Sequence, residues 1–192
     1  MQTKLALLDV TARLFADHGW RGTTTRRIAE EAGVNEVTLF RHFRSKEALL
    51  TEAIRKVATE SHPDRLPEVP SDLRGELTAC DAGQHDRLRA KSSMIRTCLA
   101  EFEEHPELAP VACEGAMESM ADAVRYLTLA RERGLIGPDG SLEAATVMLM
   151  NAIFLDAITR DVVPDCQPVS PGESIDAFVD LSLRALGAGE GR

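Results

Sequence analysis

Between Thr23 and Leu50 the chain reads TTTRRIAEEAGVNEVTLFRHFRSKEALL, and its polar residues suit phosphate binding and the reading of base edges. Threonine hydroxyls and the free amides of a helix start are natural partners for phosphate oxygens. The Arg26 guanidinium can fork onto a guanine edge, and Thr38 offers a hydroxyl to phosphate and a methyl to thymine. Lys46 sets a full positive charge beside another helix start. Catalytic chemistry finds no such set, because His42 has no carboxylate or nucleophile placed to complete a triad. The four cysteines, Cys80, Cys98, Cys113 and Cys166, form no CxxC pair and have no histidine at zinc-finger spacing, so no metal site is expected. Their low density suggests reduced structural thiols; redox sensing by Cys98 or Cys113 is the less favoured reading.

The elements that must position these groups are helices. Two short amphipathic segments flank Ala32-Gly33-Val34, a layout that suits two helices crossing steeply with the second free to enter a groove. Thr24 is expected to cap the first of them, Asn35 the second and Ser45 the helix that follows. Ahead of them, Leu5, Leu8, Ala12, Phe15 and Ala16 recur at helical spacing over residues 3–18, closed by Gly19.

Composition supports this. The 192 residues carry a formal charge of −9, which would argue against nucleic acid were it evenly spread. It is not: residues 1–60 hold ten Lys/Arg against eight Asp/Glu, while the remainder holds twelve against twenty-three. A mildly basic head on an acidic body fits DNA binding by one end. No run approaches the roughly eighteen apolar residues of a membrane span, and no apolar signal core opens the chain, so a cytoplasmic protein without a membrane partner is expected.

Pro63, Pro67 and Pro70 mark a linker, dividing the chain into a head, 1–60, and a body, 61–192. The body reads as helices only: a short one over 72–80, a longer one over 84–104, another over 107–133 interrupted near Pro110, one capped by Ser141 and reaching about 160, and a last one over 171–186. Met94, Cys98, Phe102, Met117, Met120, Tyr126 and Phe154 lie on apolar faces; such stripes are usually core, but together they suit an adaptable apolar cavity. Asn151 and Asp156 interrupt a greasy run and could orient a ligand, or equally face solvent or a partner subunit. The last two helices carry more apolar surface than one core needs, at Leu142, Ala145, Met148, Leu149 and Ala152 and at Phe178 and Leu181. Paired about a two-fold axis they would bury it as a four-helix bundle. The tail from residue 187 is expected to be mobile.

The run from Gly22 to Val34 resembles the first half of the TetR/AcrR motif, and Thr38-Leu39-Phe40-Arg41-His42-Phe43 with Ser45-Lys46-Glu47 and Leu49 resembles its second half. The resemblance covers residues of about 3–55. It implies an all-α homodimer of about nine helices, with a three-helix helix-turn-helix head and a fourth linking helix. Such a protein represses transcription at a double-stranded DNA operator, roughly palindromic, and releases it when a small molecule binds the body. It also implies DNA contacts from Thr24, Thr25 and Arg26, from Asn35, Glu36, Val37, Thr38, Phe40, Arg41 and His42 on or around the recognition helix, and from Lys46. Two residues depart from the pattern. Glu36 stands where a basic or small residue is frequent, suited either to accept from a cytosine amino group or to repel phosphate. Phe40 replaces a frequent tyrosine and removes a phenolic contact. The expected body ligand is small and apolar, of unknown identity; no cofactor is implied. One rival reading keeps DNA binding but gives control to a protein partner. Another, a helical-bundle enzyme, is disfavoured by the missing phosphate loop and nucleophile arrangements.

Overall fold

The computed structural model describes residues 2–60 and 65–188, so Pro63 of the expected linker and residues 189–192 of the expected tail lie outside the described residues. Among the described residues there are ten α-helices, one more than expected, and no strand. In chain order they are α1 (Gln2–Gly22), α2 (Thr25–Glu31), α3 (Glu36–His42), α4 (Lys46–Ala58), α5 (Leu73–Ala90), α6 (Ser92–Glu101), α7 (Leu108–Ala112), α8 (Glu114–Glu132), α9 (Leu142–Thr159) and α10 (Pro171–Ala185). They form two compact units, one of residues 1–61 with 93–116 and the other of 62–92 with 117–192. The expected body segment 93–116 therefore packs with the head.

The expected caps form. Thr24 accepts from the amide of Arg27, Asn35 from Thr38, Ser45 from Ala48 and Ser141 from Ala144. Ser170 and Glu173 add a complete capping box at α10. Between α2 and α3, Gly33 takes φ 68°, a left-handed conformation that glycine adopts without strain. The regular helix breaks at Gly19, which takes φ 65°, where the spacing predicts its close, and α1 continues across this kink for a last turn to Gly22.

In the first unit one buried cluster joins Leu7, Leu14, Ile28, Leu39, Phe43 and Leu49, holding α1 to α4 together. A second joins Phe15, Leu50 and Ile54 to Met94, Cys98, Leu108 and Val111 of α6 and α7. The start of α8 also seats on α4: Arg55 Nε is 3.0 Å from Glu114 Oε1, and a Cβ built on Gly115 would lie 2.1 Å from the Ala58 carbonyl oxygen.

In the second unit α5, α9 and α10 pack on one another around Leu73, Leu77, Tyr126, Leu149, Ile153, Ile175 and Val179. Helix α5 replaces the expected short helix over 72–80 and the first part of the one expected over 84–104, and the chain breaks at Lys91 instead. Its inward residues, Leu77, Asp81 and His85, recur every fourth position, so a buried face crosses the gap that the apolar pattern leaves. Similarly, Pro110 sits in the first turn of α7 without breaking it, and the interruption falls at Cys113. Helix α9, despite Glu143 and Asp156, is by length and mean hydropathy long and apolar enough to cross a membrane, contrary to the sequence reading. It nonetheless packs in this unit, with Asp156 buried against Arg160 Nε at 2.6 Å and His85 Nε2 at 2.9 Å.

The close approach at Gly115 is to backbone and cannot be relieved by a rotamer change. Gly115→Ala is expected to destabilise the protein by about 1–3 kcal/mol, read as a lower urea midpoint at unchanged slope.

Candidate nucleic-acid interface and a buried cavity

Helix α3 buries Leu39 and Phe43 and turns Glu36, Val37, Phe40, Arg41 and His42 to solvent. Because positions 36/40 and 37/41 are four apart, the exposed set forms one face opposite the buried pair. Val37 is 71% exposed and Phe40 50%, unusual for apolar side chains of that size and suited to thymine methyls and sugar edges. Arg41, with the neighbouring Arg44, is exposed and makes no ion pair among the described residues.

The other expected contacts are engaged within the chain. Thr25 Oγ1 donates to Glu36 Oε1 at 2.7 Å, joining the starts of α2 and α3. Asn35 Oδ1 accepts from both the amide and the hydroxyl of Thr38, at 2.8 and 2.9 Å, so these two residues build the helix start. Thr24 is the α2 cap, and Arg26 Nε lies 2.9 Å from Glu30. Arg26 is exposed enough to exchange this surface pair for phosphate or a base at small cost.

Lys46 is also engaged within the chain. Its ammonium donates to the Trp20 carbonyl oxygen and lies 5.2 Å from the centre of the Trp20 ring. Burial lowers its pKa. It ties the end of α1 to the start of α4, and its ammonium has two further hydrogens that can meet a phosphate. The Trp20 amide donates to Glu101 Oε1 at 2.8 Å, and His105 stacks on the Trp20 ring at 3.6 Å. With Glu104 these two residues place ligand atoms within 4.8 Å, but Glu104 is paired with Arg21, so the group serves as a clamp on α1.

The eight residues expected to line a ligand cavity are not brought together. Met94, Cys98 and Phe102 belong to the first unit's core. There burial pushes the Cys98 thiol up to about 11, which disfavours a redox-sensing thiolate. Tyr126 is buried in the second unit and donates its hydroxyl to Glu76, while Met117 and Asn151 face solvent and Met120 and Phe154 are half-buried. The second unit does contain a cavity of about 80 Å³, lined by other residues, among them Leu77, Asp81, Leu127, Thr146, Leu149 and Leu183. Asp81 Oδ2 and Thr146 Oγ1 are buried there without hydrogen-bond partners. Hydrophobic periodicity could not find them, since both are polar residues on inward faces.

The expected subunit contacts divide. Leu142, Ala145 and Leu149 are buried in the second unit's own core, whereas Met148 and Leu181 are exposed and Ala152 and Phe178 half-buried.

Two consequences follow for measurement. Arg41→Ala is expected to weaken binding to duplex DNA and reduce the salt slope by about one, while Glu36→Gln strengthens low-salt binding by removing an anion from the reading face. Fluorescence anisotropy across a salt series checks both. Burial also raises the Asp81 carboxyl from 3.8 to about 7. A carboxyl raised on folding stabilises fully below its unfolded pKa, and that stability is lost as pH rises through about 7. Asp81→Asn is therefore expected to gain on wild type between pH 4 and 7 by an amount on the order of 4 kcal/mol, read from melts across pH.

Residues 7–53 match the family model described as bacterial regulatory proteins, tetR family. The chain is 30% identical over 179 residues to the uncharacterized HTH-type transcriptional regulator Mb1581 of Mycobacterium bovis, covering 91% of this chain and 82% of that protein. It is 49% identical over 91 residues to the HTH-type transcriptional repressor KstR2 of Rhodococcus jostii, 46% of this chain and 45% of that one. The solved structure of the fatty acid degradation regulator FadR from Bacillus halodurans shares the fold, with TM-score 0.71 and 19% identity over 96% of each chain. A capped helix pair with one outward-facing helix, set in an all-α chain that matches such a regulator nearly end to end, places this protein in the tetR family of bacterial transcriptional regulators.

Proposed function

We propose that this regulator is a homodimeric repressor that holds a roughly palindromic operator through α3 and releases it when a small molecule occupies the cavity of the second unit. The observation that carries the reading is that cavity, with two unpartnered buried polar atoms in the same chain as a DNA-reading face. Repression is also the role of KstR2, to which nearly half the chain is similar.

Helix α8 supports the link between the two functions. Its Glu118, Ser119, Asp122 and Leu127 line the cavity, while its first residues, Glu114 and Gly115, press on α4. Helix α4 begins directly after the recognition helix and contributes to the core that holds it. A ligand that favours one setting of α8 thereby shifts the population of head arrangements away from the half-site spacing. Dimerisation rests on the outward residues Met148, Leu155 and Leu181, which are 72%, 58% and 60% exposed in a single chain. An exposed apolar surface of that kind on two adjacent helices is suited to a second copy.

A gel-shift titration on the DNA flanking the protein's own gene tests the reading; absence of a specific complex at low salt would sink it. Leu181→Arg is expected to sediment as a monomer and to lose operator affinity by two or more orders of magnitude, because each half-site is then bound alone.

A further inference from the structure

Resting on the reading of the second-unit cavity as the effector site, we propose that it takes a small amine: an ammonium head against Asp81 and Thr146, and a compact apolar body against Leu77, Leu149 and Leu183. Asp81 on α5 is 6% exposed and Thr146 on α9 is 2% exposed, and each has a polar atom with no partner. The large majority of buried side-chain polar atoms in folded proteins have a hydrogen-bond partner, from the protein or from ordered water. Two orphans lining one cavity are the vacancies that a ligand's donors would fill.

The missing partner is a cation. An ionised carboxylate accepts hydrogen bonds only; Asp81 Oδ2 is buried without a hydrogen-bond partner, among the described residues no ion pair reaches it, and burial raises its pKa. Arg65 and Arg87 also line the cavity, and among the described residues neither makes an ion pair with this carboxyl. Glu118 and Asp122 are the other charged residues on its wall, and both are acids. The same unit shows what the fold does where a buried acid belongs to the scaffold: Asp156 receives Arg160 through two hydrogen bonds, at 2.6 and 2.9 Å, and His85 through a third. Asp81 has no such arrangement. An anionic ligand would add charge of the wrong sign. An alcohol would answer one hydrogen bond and leave the charge. Thr146, able to donate and accept, suits a second ammonium hydrogen. The remaining wall is mainly apolar, and the volume of about 80 Å³ limits the body to a compact group.

Three probes of matched shape separate these chemistries: cyclopentylammonium, cyclopentanol and cyclopentanecarboxylate, titrated calorimetrically into wild type and Asp81→Asn at about pH 8, where the carboxyl is ionised. The ammonium is expected to bind wild type at least about tenfold more tightly than either isostere, and to lose about tenfold or more in Asp81→Asn. Thr146→Val is expected to lose less. Circular dichroism establishes that each variant is folded. Equal ammonium binding by wild type and Asp81→Asn, preference for the carboxylate, or no binding of millimolar ammonium by folded wild type overturns the proposal. Operator release, measured in parallel, keeps the two readings apart. Asp81-dependent binding that leaves the operator complex intact defeats the release reading alone. Release by a non-amine, alike in wild type and Asp81→Asn, defeats the amine assignment alone.

Discussion

The packing of α4 is the constraint on which the DNA-reading geometry depends. Its neighbours Leu49 and Leu50 are both fully buried, yet in different clusters: Leu49 with Leu39 and Phe43 of the recognition segment, Leu50 with Met94, Cys98 and Leu108. Leu14 and Phe15 divide in the same way on α1. A helix buried on two sides has little freedom to rotate without opening a void in one of them, and protein interiors tolerate few voids. Seven-residue α3 has too few turns to be stable alone, so its position is inherited from α1 and α4. The α6–α7 segment, remote in sequence, is therefore part of the apparatus that aims the recognition helix.

The electrostatics of the reading face follow from this economy of local pairs. Arg26 and Arg27 are matched to Glu30 and Glu31, and Arg13 also reaches Glu31. Only a small positive excess remains in the first 60 residues of a chain of net charge −9. Exposed pairs of this kind are weak, so phosphate can displace the acidic partners where it offers a better geometry. Glu36 is different, because it is bonded to Thr25 across two helix starts. Its charge makes non-specific DNA less favourable, and its bond to Thr25 helps to set the helix angle. Selectivity against random sequence is the natural outcome of such an arrangement.

What could be read from the sequence was what is local. Thr24, Asn35, Ser45 and Ser141 cap helices because a short oxygen-bearing side chain reaches an amide three residues on, and no distant partner is needed. The exposed face of α3 rests on the family resemblance instead, since by residue type Val37 and Phe40 group with the buried Leu39 and Phe43. Long-range matters could not be read. The periodicity of Met94 and Cys98 shows that a face is buried but not by what, and the answer is Phe15, Leu50 and Ile54. The sequence likewise gives no sign that Lys46 donates to the Trp20 carbonyl, 26 residues away.

Helix α5 shows the other limit. A search for apolar stripes breaks it in two, because two of its buried positions hold Asp81 and His85. Stability alone would favour apolar residues there, since a buried acid without a counter-charge costs free energy that no local contact returns. His85 finds its partner in Asp156, and the stripe at that point is a cross-link between α5 and α9. Asp81 finds none and opens onto a cavity. Where sequence patterning and folded structure disagree, and the disagreement leaves an unpartnered buried carboxyl on a cavity wall, folding offers no reason for the residue. The amine proposed for this cavity would supply one.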